Sequence, residues 1–541
     1  MLKTVVVSSL ERVFPNEVPK GIKGVSGFKN EPVSFQVAFR YNETKVSRIF
    51  IDVESDLPVS CYNVGYVPVA HVGGHTPERS HKSDLYPDIL YPHSNKSKPV
   101  EQYPFFACGD SWYTLWVTVN EKGKTLPAGE HTVTVSFYEG DYSKKPVAVK
   151  NVSVNLANAV LPAQRLKYTN WFHCDCLADY YRVEPYSERF FEIFESFVST
   201  AVKNGMNMIL LPAFTPALDT KIGSYRKNVQ LVKITKSGKE YGFDFSLMKR
   251  YVDICKKCGI KYFEHSHLFT QWGAKNTPAV YAEENGKLKR IFGWETKSSS
   301  KEYGRFLKAY FAELKKFLTA EKIEKKILFH VSDEPGENVI ESYSDAVNQV
   351  KDLIREYDAG DALSDYSFYE KGLVRTPIVI TDKLDGYYGK CSDYWAYYTG
   401  LQKGSNRIHA CEPCENRSMG YIMYHYGVKG FLHWGYNYYY DILSSRLFNP
   451  FCETCGHIGS AGTSYCVYPA HDGTALQSVR QKVFCEGLND FRALEALDKK
   501  SGGAAEKLLK KHFGDINFMS VAQSSDKLIK FRKELNALAE K

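Results

Sequence analysis

Ile327-Leu328-Phe329-His330-Val331-Ser332-Asp333-Glu334-Pro335 is the stretch on which the reading of this chain turns. Its first five residues form a short apolar run of the kind a buried strand uses, and the run ends on two adjacent acids. Paired carboxyls in such a place suit glycoside hydrolysis: one protonates a leaving oxygen while the other organises charge in the transition state. The dipeptide alone has little weight, since a chain of this length holds about two Asp-Glu pairs by chance. Within a regular strand neighbouring side chains point to opposite faces, so both acids reach one site only if the strand breaks. Pro335 and Gly336 are expected to supply that break. The alternative is helix capping, with Asp333 or Glu334 at the start of a helix that begins near Asn338.

Outward from this stretch, short apolar runs alternate with helix-length amphipathic segments. Strands are expected over residues 166–172, 206–211, 260–265, 327–331, 362–368, 393–398, 407–411 and 430–434, with helices over 187–203, 244–257, 301–317 and 339–357. Eight strands in that rhythm fit a (β/α)8 TIM-type barrel over residues 164–500, with a doubly wound open sheet as the competing architecture. Residues 1–163 read as a β-sandwich, from alternation such as Val133-Thr134-Val135-Ser136-Phe137 and Val152-Ser153-Val154-Asn155-Leu156. Residues 73–103, rich in His, Ser, Pro and Lys, read as a long loop. A helix over 478–497 is expected to close the barrel, and 501–541 forms a C-terminal helical segment.

At 541 residues with 43% hydrophobic content, the chain is long enough for two or three cored domains. Aromatics reach 14%, with 38 Tyr and 32 Phe, which fits either sugar-stacking surfaces or an aromatic-rich core. Net charge is +8, but no basic stripe interleaved with aromatics is present, which argues against nucleic acid as a partner. No apolar run has the length of a membrane span, and the start, Met1-Leu2-Lys3-Thr4-Val5-Val6-Val7, reads as a strand rather than a leader. The expectation is a cytoplasmic protein, with secretion left open. Thirteen cysteines include the pairs Cys255/Cys258, Cys411/Cys414 and Cys452/Cys455, which read as reduced thiols or, alternatively, as zinc ligands.

Polar and aromatic residues recur at the expected strand ends: Trp171 and His173 after the first, His265 and His267 after the third, Trp395, Tyr397 and Tyr398 on the sixth, and Trp434, Tyr436 and Asn437 after the eighth. Rings around one acidic pair describe a sugar pocket. A metal held by His173, His265 and His267 is the competing reading, without a helical HExxH spacing to support it.

Ser332-Asp333-Glu334-Pro335, the run Gly430-Phe431-Leu432-His433-Trp434-Gly435-Tyr436-Asn437, Tyr468-Pro469, Ser478-Val479-Arg480 and Glu486-Gly487-Leu488-Asn489-Asp490 together resemble glycoside hydrolase family 123, whose catalytic region is of the DUF4091 type. The resemblance covers roughly residues 1–500. It implies an exo-acting β-N-acetylgalactosaminidase that retains configuration by substrate assistance, with the 2-acetamido oxygen attacking the anomeric carbon to form an oxazolinium ion. It further implies Glu334 as acid and then base, and Asp333 as the residue that orients the acetamido group. Trp395 and Trp434 would enclose the acetamido methyl, and Tyr397 or Tyr436 would donate to its oxygen. Such chemistry needs no metal or cofactor, and the partner is a glycan or glycoconjugate with terminal β-GalNAc. Two further readings stay open: a conventional glycosidase pairing Glu334 with a separate carboxylate such as Asp365 or Asp441, and a noncatalytic carbohydrate-binding protein.

Overall fold

The computed structural model describes residues 2–41, 46–70, 84–94, 105–107, 109–454 and 456–541. The N-terminal region is β-rich and contains two sheets. Val133, Val135 and Phe137 on one sheet and Phe35, Val37, Leu115 and Val117 on the other share a single apolar cluster, so the alternating residues do face a common core. The strand Trp112–Val119 is buried on nearly every residue, because its second face is covered as well.

The expected loop over residues 73–103 is corrected in part. Asp84–Pro92 is a strand antiparallel to Val59–Val69. Its ladder skips Asp88: Gly65 pairs with Ile89 and Tyr66 with Pro87. A bulge of this kind re-aims one side chain, here turning Asp88 into the interior. The rest of that expected loop lies outside the described residues.

On the far edge of Asp84–Pro92 the sheet is continued by Ala475–Ser478 and Tyr468–Pro469, more than 370 residues later in the chain. Arg480, just past this addition, donates Nε to Asp88 Oδ2 at 3.0 Å and Nη1 to the carbonyls of Arg407 and Gly462 at 3.1 and 2.6 Å. Asp88 also accepts from Tyr468 OH at 2.5 Å. This buried pair pins the N-terminal sheet to the rest of the chain.

Eight parallel strands close into a barrel: Lys167–Asn170, Met208–Leu211, Tyr262–His265, Ile327–Phe329, Asp358–Leu363, Thr376–Ile380, Trp395–Tyr397 and Gly430–His433. Helices stand between strands, including Glu188–Lys203, Ser246–Cys258, Lys301–Ala320, Ile340–Val350 and Pro413–Tyr426. Three expectations need correction. The fifth strand begins at Asp358, before the expected 362, and its acidic residues hid it. Thr376–Ile380 is the sixth strand; Pro377 within the run reads as a strand edge or breaker, yet the strand is central. Residues 393–398 thus supply the seventh strand, and 407–411 is a buried loop whose Ile408, Ala410 and Cys411 form a small cluster of their own.

The helix Val479–Lys500 packs on Pro413–Tyr426 so tightly that a side chain at Gly420 would lie 1.9 Å from the Gly487 carbonyl oxygen. It is buried nearly all round rather than on one face. Arg532, on the last helix Ser525–Glu540, bonds Asp490 at 2.6 Å and also reaches Glu31 of the N-terminal region. The C-terminal segment therefore braces the junction. No described helix is long and apolar enough to cross a membrane, and the described cysteines are free thiols. Cys455 lies outside the described residues.

Arg480→Ala leaves the Asp88 carboxylate buried without its partner and is expected to cost about 3–5 kcal/mol in urea denaturation. Replacing both partners with apolar residues, Asp88→Leu with Arg480→Met, should recover most of that loss.

Candidate active site

At the carboxyl end of the barrel, where such folds place their sites, a cavity of about 250 Å³ opens. The fourth barrel strand stops at Phe329 and the backbone then leaves the ladder. Asp361, on the fifth strand, takes over. Its Oδ1 accepts from Val331 N at 3.0 Å, and its Oδ2 accepts from Ser332 N at 3.2 Å and from Tyr343 OH at 2.5 Å. Ser332 Oγ donates to the Thr270 carbonyl at 2.8 Å. Glu334 then adopts a left-handed backbone, φ 43°, an unusual state for a non-glycine residue. The break is thus made by Asp361 and by Glu334 itself, while Gly336 is in ordinary extended backbone. Both acids line the cavity, partly exposed. Neither caps a helix: the following 3-10 turn starts after Gly336 and has no side-chain cap.

Trp171, His173, Tyr397 and Trp434 join Asp333 and Glu334 on the cavity wall. Tyr397 OH donates to Glu334 Oε1 at 2.7 Å. His173 Nε2 donates to the Trp434 carbonyl at 2.8 Å, and its Nδ1 accepts from Arg226 Nη2 at 3.0 Å. Burial and the Arg226 charge push His173 down to about 3, so the ring is neutral and acts as a brace.

The other three expected contact residues lie elsewhere. Trp395 begins the seventh strand and fills the barrel interior, where a side chain on Gly430 would overlap its ring. Tyr436 is buried outside the barrel, donating to the Phe197 carbonyl at 2.9 Å. Asn437 clamps the His173 backbone, accepting from its N at 2.9 Å and donating to its O at 3.1 Å. An alternating strand carries Trp395 and Tyr397 on one face, but only the later residue reaches the mouth.

Residues not anticipated from sequence complete the site. Asp219 lines the cavity on a left-handed backbone, φ 42°, and accepts from Tyr438 OH. Beneath the acids, Glu264 accepts from Trp171 Nε1 and His330 Nε2, each at 3.0 Å, and from Thr169 OH. His330 Nδ1 lies 3.4 Å from Asp361. Burial opposes the charged ring, but these two carboxylates hold His330 up at about 10, hence protonated. The neighbouring letters Phe263-Glu264-His265-Ser266-His267 drew attention to the histidines rather than to the glutamate between them.

A metal fits poorly. His265 is committed to the Ser266 carbonyl and Tyr310 OH, at 2.6 and 2.8 Å, and His173 to the partners above. His267, His330 and Asp361 place ligand atoms within 4.8 Å of one another, yet the two imidazoles are stacked, 4.6 Å apart at 17°. In-plane lone pairs of near-parallel rings do not converge on one ion.

Burial pushes Asp333 well above the usual carboxylate range, aided by the charges of Glu334, Asp361 and Asp219 and opposed by His330. Burial also raises Glu334, against the hydrogen bond from Tyr397. A charge on either carboxyl disfavours ionisation of the other. Asp365 accepts from Ser367 N at 2.8 Å, and Asp441 is buried against His457; neither lines the cavity.

A closed parallel barrel whose mouth holds two adjacent carboxyls among aromatic rings offers the groups that acid–base chemistry needs. Residues 171–497 match the family described as Glycoside hydrolase 123, catalytic domain, and the chain belongs to that family. It is a glycoside hydrolase. A search of curated proteins gives no match. Among solved structures, a family 123 glycoside hydrolase from Clostridium perfringens, studied for glycolipid glycan hydrolysis, superposes with a TM-score of 0.74 at 12% identity, over 100% of this chain and 97% of that one. This supports the fold over the whole length. A β-glucuronidase from Lactobacillus rhamnosus reaches a TM-score of only 0.32 at 8% identity, over 90% of this chain and 68% of that one.

A carboxyl whose pKa rises on folding adds stability below its unfolded pKa and loses it as pH climbs through the folded value. Asp333→Asn should therefore raise the Tm at pH 7–8 by about 2 °C, and the difference should vanish below about pH 4. Calorimetry across pH checks both.

Proposed function

We propose that this glycoside hydrolase is an exo-acting β-N-acetylgalactosaminidase that retains configuration by substrate assistance, at the mouth of a TIM-type (β/α)8 barrel behind an N-terminal β-sandwich. The observation that carries the reading is that Asp333 and Glu334 are sequence neighbours projecting from one strand break into one cavity. Conventional pairs must flank the sugar on both sides, whereas an acid beside an acetamido-orienting carboxylate needs this one-sided arrangement. Terminal GalNAc rests on the sequence resemblance. The glycolipid glycans named for the Clostridium perfringens structure support a glycoconjugate as the source.

In this reading Glu334 protonates the leaving oxygen and then activates water, while Asp333 accepts from the acetamido N–H and stabilises the positive charge that develops there. In the free site Tyr397 favours the ionised form of Glu334, and Asp333 sits among other carboxylates. Both tendencies oppose the protonation states that the reaction needs, and substrate binding has to reverse them. The acetamido group then draws the Tyr397 hydroxyl to its oxygen and its N–H to Asp333. Those contacts favour ionised Asp333 and protonated Glu334, the states that the reaction needs. Trp171 and Trp434 enclose the methyl, the role first expected of Trp395. Asp219 accepts from ring hydroxyls, since a carboxylate has more acceptor sites than Tyr438 and the Leu443 N–H occupy.

The cavity-lining Asp219 favours one second reading, a conventional retaining enzyme with Asp219 as nucleophile. A thiazoline mimic of the oxazolinium ion inhibits only under substrate assistance, and a covalent adduct on Asp219 in mass spectrometry would establish the alternative.

Glu334→Gln is expected to lower kcat on an unactivated β-GalNAc glycoside by about 10²–10⁴-fold, and Asp333→Asn to abolish inhibition by the thiazoline. Full activity in Glu334→Gln would refute the assignment. Tyr397→Phe removes the bond that favours ionised Glu334, so the basic limb of kcat/KM should move to higher pH while kcat falls.

A further inference from the structure

We infer that His330 is a positioning residue for the reaction: its ring is the built-in positive charge against which Asp333 ionises. The inference rests on the substrate-assisted reading above. In that reading Asp333 must carry a negative charge in a cavity that it shares with Glu334 and Asp219.

The geometry makes His330 a cation. The ring is fully buried between carboxylates from the two flanking strands. Nε2 donates to Glu264 Oε2 at 3.0 Å, and Nδ1 lies 3.4 Å from Asp361 Oδ1. A neutral imidazole has one N–H, so one of its nitrogens would turn a lone pair toward a carboxylate. The doubly protonated ring suits both sides. Its place is also set by more than its own rotamer. Glu264 is held by Trp171 Nε1 and Thr169 OH as well as by the ring. Asp361 accepts from Val331 N and Ser332 N, the two residues that separate His330 from Asp333. The carboxylate beside the ring is therefore the one that shapes the backbone leading to Asp333.

The charges of Glu334, Asp361 and Asp219 oppose an ionised Asp333, and that of His330 favours it. Neighbouring rings do not take over this charge. His267, stacked 4.6 Å from His330, and His265 are both kept neutral by burial. A second buried cation, Arg226, is paired with Asp175 at 2.6 Å. His330 does not line the cavity, so it acts on the substrate only through Asp333.

Two measurements test this on the full-length protein. With ¹⁵N-labelled histidine, magnetic resonance of the wild type at about pH 8.5, where ordinary histidines are neutral, should show an imidazolium; finding none overturns the inference. In His330→Gln the acidic limb of kcat/KM on a β-GalNAc glycoside should move up by about one pH unit, and so should that of thiazoline affinity measured by calorimetry. His330→Lys keeps a cation between the two carboxylates and should hold both limbs near their wild-type positions even where kcat falls. This arm does not require His330→Gln to fold. A limb unmoved in His330→Gln, or displaced in His330→Lys, would overturn the inference and leave the hydrolase reading intact. A wild type that neither cleaves the β-GalNAc glycoside nor binds the thiazoline would overturn the substrate-assisted reading and the inference with it.

Discussion

Asp361 accepts two consecutive backbone N–H groups, those of Val331 and Ser332, where a continuing strand would offer carbonyls instead. The substitution of one side chain for a stretch of ladder lets the fourth strand end early without stranding buried donors, which would be costly. Everything at the mouth follows from that early end. The chain can turn at Glu334, two neighbouring acids can share a cavity, and the Asp333 carbonyl is free to hold the Trp272 loop. Asp361 is itself anchored by Tyr343 and stands beside the protonated His330, whose other nitrogen meets Glu264. A backbone support and a charge network are thus the same residues.

The electrostatic cost of the site is visible in the same place. Asp333 and Glu334 are desolvated side by side, with Asp219 adding a third carboxylate to the cavity. The cationic His330 lies below them and offsets part of the repulsion, but it is shared with Glu264 and Asp361. Such a cluster is poor design for stability and useful for moving a proton.

The barrel and the acidic pair were legible from sequence because apolar runs of fixed length and a strand-terminal Asp-Glu survive any detail of packing. Where reading failed, a tertiary contact overrode a local signal. Pro377 reads as a breaker but sits in a central strand; Asp358 and Asp361 disguise the fifth strand because their charges look solvent-facing. Trp395 and Tyr397 have equal claims as letters, and only their depth along the strand separates floor from wall. Glu264 and Asp219 had no local signature, since their importance arises from partners on other strands and loops.

The antiparallel addition of Ala475–Ser478 to the edge of Asp84–Pro92 has a consequence for biosynthesis. Tyr468 and Asp88 are 380 residues apart. At ribosomal rates of about 5–20 residues per second, the edge strand would wait roughly 20–80 s for its partner. Throughout that interval an unpaired strand carrying Leu85, Ile89 and Tyr91 would stand open to other nascent chains, the template from which edge-to-edge aggregates begin. For this protein, yield in a cell would be governed by how that edge is shielded during translation, and trimming the C-terminal third would make the exposure permanent.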